Sequence, residues 1–225
     1  TIFTVANEGT YTVDNSGVVT YTPVLDFNGT ATAVNYTVND NGGLTSNIAT
    51  ITVTVTDVND APVANNDSIS TAEDTPVSLN VTTNDTDVDG TIDVATVDLD
   101  PATAGIQTTF TVANEGTYTV DNSGVVTFTP VANFNGIATP VNYTVNDDDG
   151  TTSNTATITV TVTDVNDAPV ANNDSISTAE DTPVSLNVTT NDTDVDGTID
   201  VATVDLDPAT AEIQTTFTVA NEGTY

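Results

Sequence analysis

The chain has 225 residues with 33 acidic side chains and no Lys, Arg, His or Cys, so its formal net charge is −33. Nucleic acids and anionic membrane surfaces are bound by basic patches, so this composition argues against both as partners. The lack of Cys excludes disulfides, and no apolar run approaches the roughly 20 residues of a membrane-spanning helix.

Because no side chain is cationic, no carboxylate can form an ion pair with another side chain. Two carboxylates about 5 Å apart repel each other by roughly 3 kcal/mol at an effective dielectric constant of 20. Wherever the sequence clusters carboxylates, they must therefore be solvated, hydrogen-bonded or neutralised by a bound metal ion.

The chain repeats itself. The sequence FTVANEGTY begins at Phe3, Phe110 and Phe217, which gives a period of 107 residues. We interpret the chain as a window on a longer array, and expect the two incomplete flanks to fold poorly alone. The flanks of neighbouring molecules could complete each other end to end. The predicted units are the C-terminal part of one repeat (1–60), a complete repeat (61–167) and the N-terminal part of the next (168–225).

Short runs of Val, Ile, Thr, Tyr and Phe within the complete repeat alternate apolar and polar residues, which is typical of strands. Turn residues separate them, as at 121–124, 135–136 and 149–150. We therefore predict an antiparallel β-sandwich of the immunoglobulin type. The predicted strands are Ala64–Thr71, Val77–Val81, Val94–Val97, Thr109–Ala113, Tyr118–Val120, Val125–Thr129, Val141–Asn146 and Thr155–Thr163. The predicted aromatic core is Phe110, Tyr118, Phe128, Phe134 and Tyr143.

The most regular pattern belongs to the last strand of the repeat. Its apolar residues occupy alternate positions, at Ala156, Ile158, Val160 and Val162, and Thr fills the positions between them. This pattern indicates a strand with one buried face. The Thr face is interpreted as ordinary β-surface, with ice or polysaccharide binding as the alternative.

An acidic hinge follows this strand. The sequence DVNDAP begins at Asp57 and again at Asp164, and the next repeat starts directly after it. A last strand, a cluster of oxygen ligands and a new first strand therefore recur, which we interpret as the joint of a repeat array.

Four motifs occur in a fixed order in the complete repeat: EDTP from Glu73, NDTDVDG from Asn84, VND from Val145 and DVNDAP from Asp164. In this order they resemble cadherin repeats, and more closely the bacterial cadherin-like tandem repeats of very large surface adhesins. The resemblance covers the whole chain. It implies tandem immunoglobulin-like sandwiches that form a rod, with Ca²⁺ bound at the joints.

The resemblance also implies the ligands. Ca²⁺ prefers six to eight oxygen donors, which Asp, Asn and Glu supply. The cadherin linker ends in Asn where this chain has Ala61 and Ala168, and the acidic LDRE motif has no counterpart here. These departures imply one or two ions per joint. The ligands implied for the first joint are Asp57, Asn59, Asp60, Asp85, Asp87 and Asp147. Those for the second joint are Glu73, Asp164, Asn166, Asp167, Asp192 and Asp194.

The loop 85–96 matches the start of an EF-hand, but Thr96 occupies its twelfth position and no helix is predicted beside it, which argues against that motif. A calcium site within the loop, at Asp89 and Asp93, stays open. Other acidic loop residues are interpreted as solvated surface, namely Asp98, Asp100, Asp148 and Asp149. For Asp98 and Asp100 a further ion site is the alternative.

Catalysis is not expected, because the chain has no His, Cys or Lys to activate a nucleophile. The leading hypothesis is a calcium-rigidified extender of a secreted or cell-surface adhesin that supports cell adhesion or biofilm formation. Its partners would be neighbouring identical repeats, placed end to end. The alternatives are a self-assembling extracellular matrix filament and a module that binds carbohydrate or ice.

Overall fold

The computed structural model describes residues 1–220 and 222–224, and strands dominate its regular structure. Helix within this part of the chain is limited to two short 3-10 segments, Val81–Asn84 and Val201–Thr203. The fold class is therefore all-β, as the alternating sequence pattern predicts.

Residues 1–60 form seven short strands in small separate sheets. Strands β1, β2 and β3 make a three-stranded antiparallel sheet, while β5 pairs with β6 and β4 with β7. The strands are β1 (Ile2–Val5), β2 (Gly9–Val13), β3 (Val19–Pro23), β4 (Gly29–Thr30), β5 (Val34–Tyr36), β6 (Ala49–Ile51) and β7 (Thr54–Val55).

Nine strands between Asp67 and Thr163 form a two-sheet unit, called the central sandwich below. They are β8 (Asp67–Ala72), β9 (Val77–Asn80), β10 (Ile92–Asp98), β11 (Thr109–Val112), β12 (Gly116–Val120), β13 (Val125–Pro130), β14 (Gly136–Ile137), β15 (Val141–Asp147) and β16 (Ala156–Thr163).

One sheet of the central sandwich has the order β11-β12-β13-β9 and is antiparallel throughout. In the other sheet the order is β10-β15-β16-β14, and β8 pairs with β16 in parallel. The first and last strands of the sandwich therefore lie side by side. This brings the segment before β8 and the segment after β16 to opposite ends of the unit.

The core lies between these two sheets. The alternate residues Ala156, Ile158, Val160 and Val162 of β16 are all at most 2% exposed, as their period of two predicts. Tyr118, Phe128 and Tyr143 are fully buried among them, and Phe110 and Phe134 pack at the edge of the core. Every member of this core cluster lies between Ala64 and Val162.

The predicted strands agree with the observed ones to within about three residues at each end, and two details differ. Asn135-Gly136 was expected to be only a turn, but Gly136 begins the short edge strand β14, which pairs with Val162 and Thr161. Val81, expected at the end of a strand, instead begins a 3-10 segment capped by the side chain of Asn80.

Among its described residues, 164–220 and 222–224, the segment after β16 contains only two short strands, β17 (Thr218–Val219) and β18 (Gly223–Thr224). Residues 174–179 have the same sequence as strand β8, yet they form no strand. Identical residues thus adopt strand structure only where partner strands such as β16 pack against them.

Candidate metal centres at two acidic joints

The first joint is the acidic hinge at residues 57–60, between β7 and β8. The backbone N–H of Asp60 donates a hydrogen bond to Asp89 Oδ2 at 2.9 Å. Since Asp89 lies in the loop between the 3-10 segment Val81–Asn84 and β10, this bond ties the hinge to the loop.

The loop itself is folded around Asp87. Asp87 Oδ1 accepts hydrogen bonds from the backbone N–H groups of Asp89, at 3.1 Å, and Gly90, at 2.9 Å. A Cβ atom added at Gly90 would lie 2.9 Å from Asp148 Oδ1 and 3.4 Å from Asp87 Oδ2. The carboxylates of Asp87 and Asp148 therefore approach each other across a position that suits glycine.

A third segment reaches the same joint at the end of β15. Asn59 Nδ2 donates to Asp147 Oδ2 and to Thr151 Oγ1, both at 2.7 Å. Asp147 is 2% exposed and also accepts N–H groups from its own loop, with Thr151 N at 2.7 Å. The Asn59 amide, followed by these backbone donors, lowers the pKa of Asp147, so its carboxylate stays ionised.

Two buried carboxylate oxygens at this joint, Asp87 Oδ2 and Asp89 Oδ1, have no hydrogen-bond partner. The pKa of Asp89 is raised: the Asp60 N–H lowers it, but burial and the neighbouring carboxylates of Asp87 and Asp60 outweigh that effect. Buried oxygens without partners are costly, and two facing carboxylates add repulsion. Such a pair of hard oxygen donors fits a divalent cation such as Ca²⁺.

The second joint, at residues 164–167, shows the same connection on its C-terminal side. The Asp167 N–H donates to Asp196 Oδ2 at 2.9 Å, and Asp194 Oδ1 accepts from Gly197 N at 2.9 Å. Asp167 Oδ2 is also buried without a partner. The two joints therefore repeat one local arrangement in which a hinge N–H is bound by the last Asp of a DxDxD loop.

On its N-terminal side, the second joint contacts the central sandwich. Glu73, which is 5% exposed, accepts a hydrogen bond from the Val165 N–H, and Asp164 Oδ1 accepts from Asn135 Nδ2 at 2.8 Å. The predicted ligands Glu73 and Asp164 therefore lie at the same end of the central sandwich.

The structure does not bring every predicted ligand to its joint. Asp85 turns towards the core, where it accepts from Asn65 N at 2.7 Å and lies 3.0 Å from the Tyr143 hydroxyl. Asp192 binds Asn172 N in the same way, at 2.7 Å. In each DxD pair the first Asp is thus engaged with its own unit.

Two predicted ligands in the hinges form hydrogen bonds within the protein. Asp57 Oδ1 accepts a hydrogen bond from Asn28 Nδ2 at 2.6 Å. Asn166 Nδ2 donates to the backbone carbonyl of Asp167 at 2.9 Å.

Within residues 1–220 and 222–224, no group of three carboxylates converges as a complete metal-ligand set. The arrangement supplies pairs of carboxylates, one Asn side chain and backbone carbonyls at each hinge.

Asp148, interpreted as solvated surface, is exposed, and its Oδ1 approaches Asp87 at Gly90. The N–H of Thr91 is the main cause of the lowered pKa of Asp148. Its position directly after the VND motif places it beside the predicted ligand Asp147. Of the two residues of the alternative calcium site within the loop, Asp89 contacts the hinge, whereas Asp93 Oδ1 accepts the N–H of Ala95.

Asp67 is a half-buried carboxyl that no motif indicated. Burial, together with the charge of Asp85 and against the lowering effect of the Tyr143 hydroxyl, raises its pKa to about 6. Its Oδ2 has no hydrogen-bond partner. Asp67 begins β8 and pairs with Ile158 of β16.

We expect Asp67 to make the central sandwich less stable as the pH rises. A carboxyl whose pKa is raised on folding is harmless below its unfolded pKa of about 4 and opposes folding as the pH passes about 6. Asp67→Asn should therefore lose less stability than wild type between pH 4 and pH 7. Urea unfolding with a chelator present measures this, with Asp149→Asn as the exposed control. Parallel pH profiles for wild type and Asp67→Asn would contradict it.

No helix in residues 1–220 and 222–224 is long and apolar enough to cross a bilayer.

Three families of known domains match successive parts of the chain. Residues 59–164 match the bacterial cadherin-like domain, residues 1–55 the repetitive domain of the surface adhesin CshA, and residues 166–225 the bacterial Ig domain. The crystal structure of chicken VE-cadherin EC1-2 is also similar, with 21% identity, a TM-score of 0.33 and coverage of 68% of this chain and 78% of that chain. No curated protein matches the chain.

These matches confirm the resemblance to bacterial cadherin-like repeats that the four acidic motifs indicate. The matching families are structural and adhesin domains rather than enzymes. The surface-adhesin match indicates an extracellular or cell-surface protein.

Proposed function

We propose that the chain is a set of calcium-stiffened extender repeats of a secreted or cell-surface adhesin. Stacked sandwiches would hold a terminal binding region away from the cell and so support cell adhesion or biofilm formation. One observation carries the proposal. At each joint, one or two carboxylate oxygens are buried without a hydrogen-bond partner, and the chain has no cationic side chain that could pair with them.

The electrostatics at the first joint favour a bound cation. The Asp60 N–H lowers the pKa of Asp89, but burial and the carboxylates of Asp87 and Asp60 raise it overall. Without a counter-ion this juxtaposition opposes folding, and a divalent ion between the carboxylates would remove the cost. The donors are carboxylate, amide and carbonyl oxygens, which suit Ca²⁺ better than a softer metal.

The residues proposed to hold the ions are those implied by the resemblance, with one adjustment at each joint. Asp85 and Asp192 are engaged inside their own units, so Asp89 and Asp196, which bind the hinge N–H groups, are better placed. The first site would use Asp57, Asn59, Asp60, Asp87, Asp89 and Asp147, with Asp85 as an outer member. The second would use Glu73, Asp164, Asn166, Asp167, Asp194 and Asp196, with Asp192 as an outer member.

Calcium bound in this way would act as a mechanical link. The N–H of Asp60 in the hinge donates to Asp89 of the acidic loop, and Asn59 reaches Asp147 across 88 residues of sequence. An ion shared by these segments would couple a flexible linker to a rigid sandwich. Domains divided as 1–60, 61–167 and 168–225 would then be held in line. In such a spacer, length and stiffness matter more than the particular surface of any repeat.

The test is a calcium titration of the full chain by calorimetry, with thermal unfolding measured in calcium and in chelator. A single site filled to 100 times its Kd adds about 2.7 kcal/mol to the stability of the unit that binds it. For a domain of about 100 residues, that corresponds to a rise in Tm of roughly 10 °C or more. We expect this rise with calcium and a much smaller one with magnesium at the same ionic strength.

Asp→Asn variants, which remove charge and keep the size of the side chain, identify the site. Asp87→Asn combined with Asp89→Asn should abolish most of the calcium heat at the first joint. Asp149→Asn, an exposed carboxyl in the neighbouring loop, should leave it unchanged. Equal melting temperatures in calcium and chelator, or equal effects of calcium and magnesium, would refute the proposal.

A further inference from the structure

A cavity of about 370 Å³ opens on the side of the central sandwich. It lies between the loop that joins β10 to β11 and the start of β15, and all of its lining residues fall between Leu99 and Thr155. The cavity is therefore formed within a single sandwich and not at a joint. Its volume is at the small end of the range for ligand sites, roughly 300–1,000 Å³, and suits one side chain of a partner.

Most of the cavity wall is apolar. Leu99 and Val141 are each 1% exposed and belong to the core cluster, while Phe110 is half-buried at its edge. Pro101 and Pro140 also line the cavity and are exposed, so the cavity opens to solvent. A ligand that enters it would contact an aromatic ring and aliphatic groups.

Among the residues that line the cavity, only Asp100 is charged. Its Oδ2 accepts a hydrogen bond from Thr103 Oγ1 at 2.6 Å, which orients the carboxylate. A carboxylate has about four acceptor positions, so Asp100 keeps the capacity to accept hydrogen bonds from a ligand. The neighbouring Asp98 is already engaged, because its Oδ1 accepts the N–H groups of Asp100, at 3.0 Å, and Gln107, at 2.9 Å.

One carboxylate in an apolar wall fits an organic cation better than a metal ion. Ca²⁺ takes six to eight oxygen ligands, which the side chains of Leu99, Phe110 and Val141 cannot supply. Lysine and arginine side chains instead combine a charged head with an aliphatic stem that packs on apolar surface. An aromatic ring also attracts their charge. The combination of Asp100, Phe110 and the apolar wall matches both parts of such a side chain.

We propose that this cavity binds a lysine or arginine side chain of a second, basic protein. The chain contains no Lys, Arg or His, so another copy of it cannot supply this side chain and the partner must be a different protein. The net charge of −33 complements a basic partner and would speed its encounter with the cavity. The proposal does not depend on the calcium sites.

The loop beside the cavity already holds its shape through its own hydrogen bonds. Leu99 N donates to Gln107 O and Thr103 N donates to Asp100 O, both at 2.9 Å. The side chain of Gln107 donates to Gly105 O at 2.9 Å. A wall that is formed before the ligand arrives lowers the entropy lost on binding.

The two copies of this sequence differ only in the same loop. Residues 168–225 repeat residues 61–118 with one change, Glu212 in place of Gly105. The change adds a carboxylate to the loop, and this added charge would favour a cationic ligand.

Nuclear magnetic resonance of the full chain tests the proposal with a defined probe. The probe is a pentapeptide with one lysine between glycines, blocked at both ends, and its control carries norleucine, which keeps the stem without the charge. In about 0.15 M NaCl, we expect saturable amide shifts at Leu99, Asp100 and Phe110 with a Kd in the millimolar range. The norleucine peptide should bind about tenfold more weakly. Raising the NaCl concentration should weaken lysine binding.

Asp→Asn substitutions separate this site from the general acidity of the chain. Asp100→Asn should weaken lysine binding by about threefold, and its amide oxygen can still accept from Thr103. Asp149→Asn removes the same charge from an exposed position beyond the other end of β15, so binding should not change. Equal Kd values for the two variants would overturn the proposal.

An added cation provides a second test. Ala102 lines the cavity and is exposed, so Ala102→Lys should fold normally and weaken binding of the lysine peptide by about threefold or more. Ala132→Lys, at an exposed position outside the cavity, is the control with the same net charge. Equal effects of these two variants would contradict the proposal, as would equal binding of the lysine and norleucine peptides. Maltose that shifts the cavity amides while the lysine peptide does not would assign the site to carbohydrate instead.

Discussion

Gly116→Ala is expected to unfold the central sandwich at temperatures where the wild type is folded. A Cβ atom at Gly116 would lie 2.5 Å from the Phe128 ring and 2.6 Å from the carbonyl oxygen of Thr129. Gly116 pairs with Pro130 in the β12–β13 ladder, so the carbonyl cannot move without breaking that pairing. Phe128 is 1% exposed and belongs to the core cluster.

We expect a cost of about 3 kcal/mol or more, at or above the upper end of the usual range for overpacking a core. For a domain of about 100 residues, this lowers Tm by roughly 15 °C. Thermal unfolding followed by circular dichroism measures it. A Tm within about 3 °C of wild type would contradict tight packing of β12 against β13.

The repeated sequence supplies a matched control. Gly9 is the counterpart of Gly116, and a Cβ atom there would lie 2.5 Å from the carbonyl oxygen of Thr22. The core cluster of the chain contains no residue from 1–60. Gly9→Ala should therefore leave the main unfolding transition unchanged, although the local clash is the same.

The sequence was sufficient to predict those elements whose structure depends on neighbouring residues. The turn at 121–124 follows from its residues: Asp121 Oδ1 accepts the N–H groups of Ser123 and Val125, and Gly124 adopts a φ of +75°. Strand β16 follows from its strict alternation. Both features depend on a few neighbouring residues, so they could be predicted without a tertiary model.

Tertiary context decided the rest. The sequence DTD at Asp85 does not reveal which carboxylate faces the core. Asp85 turns inward, where it accepts the N–H of Asn65 and lies 3.0 Å from the hydroxyl of Tyr143, 58 residues away, and this leaves Asp87 for the joint. The parallel pairing of β8 with β16 is likewise a long-range feature.

The two copies of one sequence also show that tertiary contacts decide which segments become strands. Residues 92–98 form β10 against β15, whereas the same residues at 199–205 contain only a short 3-10 turn. Strand propensity is identical in the two segments. The difference lies in the partner strands, which supply both hydrogen bonds and apolar cover.

A double substitution at the second joint is also expected to have a large effect, on the flexibility of the chain. Asp164→Ala combined with Asp167→Ala should make the connection between the central sandwich and residues 168–225 flexible, even in calcium. Asp167 contributes a buried oxygen without a partner and donates its N–H to Asp196, while Asp164 is held at the sandwich end by Asn135. Removing both carboxylates removes two of the oxygen ligands proposed for an ion at this hinge, whereas the backbone N–H at position 167 is kept.

Small-angle scattering measures the result. Wild type in calcium should be extended and should become more flexible in chelator, whereas the double variant in calcium should match wild type in chelator. Its calcium-dependent rise in Tm should fall by about half, because only the first joint still binds. Data are collected at low protein concentration in all cases, so that association between copies does not contribute.

The control removes the same charge elsewhere. Asp149→Ala combined with Glu212→Ala deletes two exposed carboxylates, one of them at a position where the other copy of the sequence has Gly105. If general repulsion in this chain of net charge −33 set its stiffness, both double variants would change the scattering equally. If an ion at the hinge sets it, only Asp164→Ala with Asp167→Ala will respond. Scattering from that variant that is unchanged in calcium would rule out a metal link at this joint.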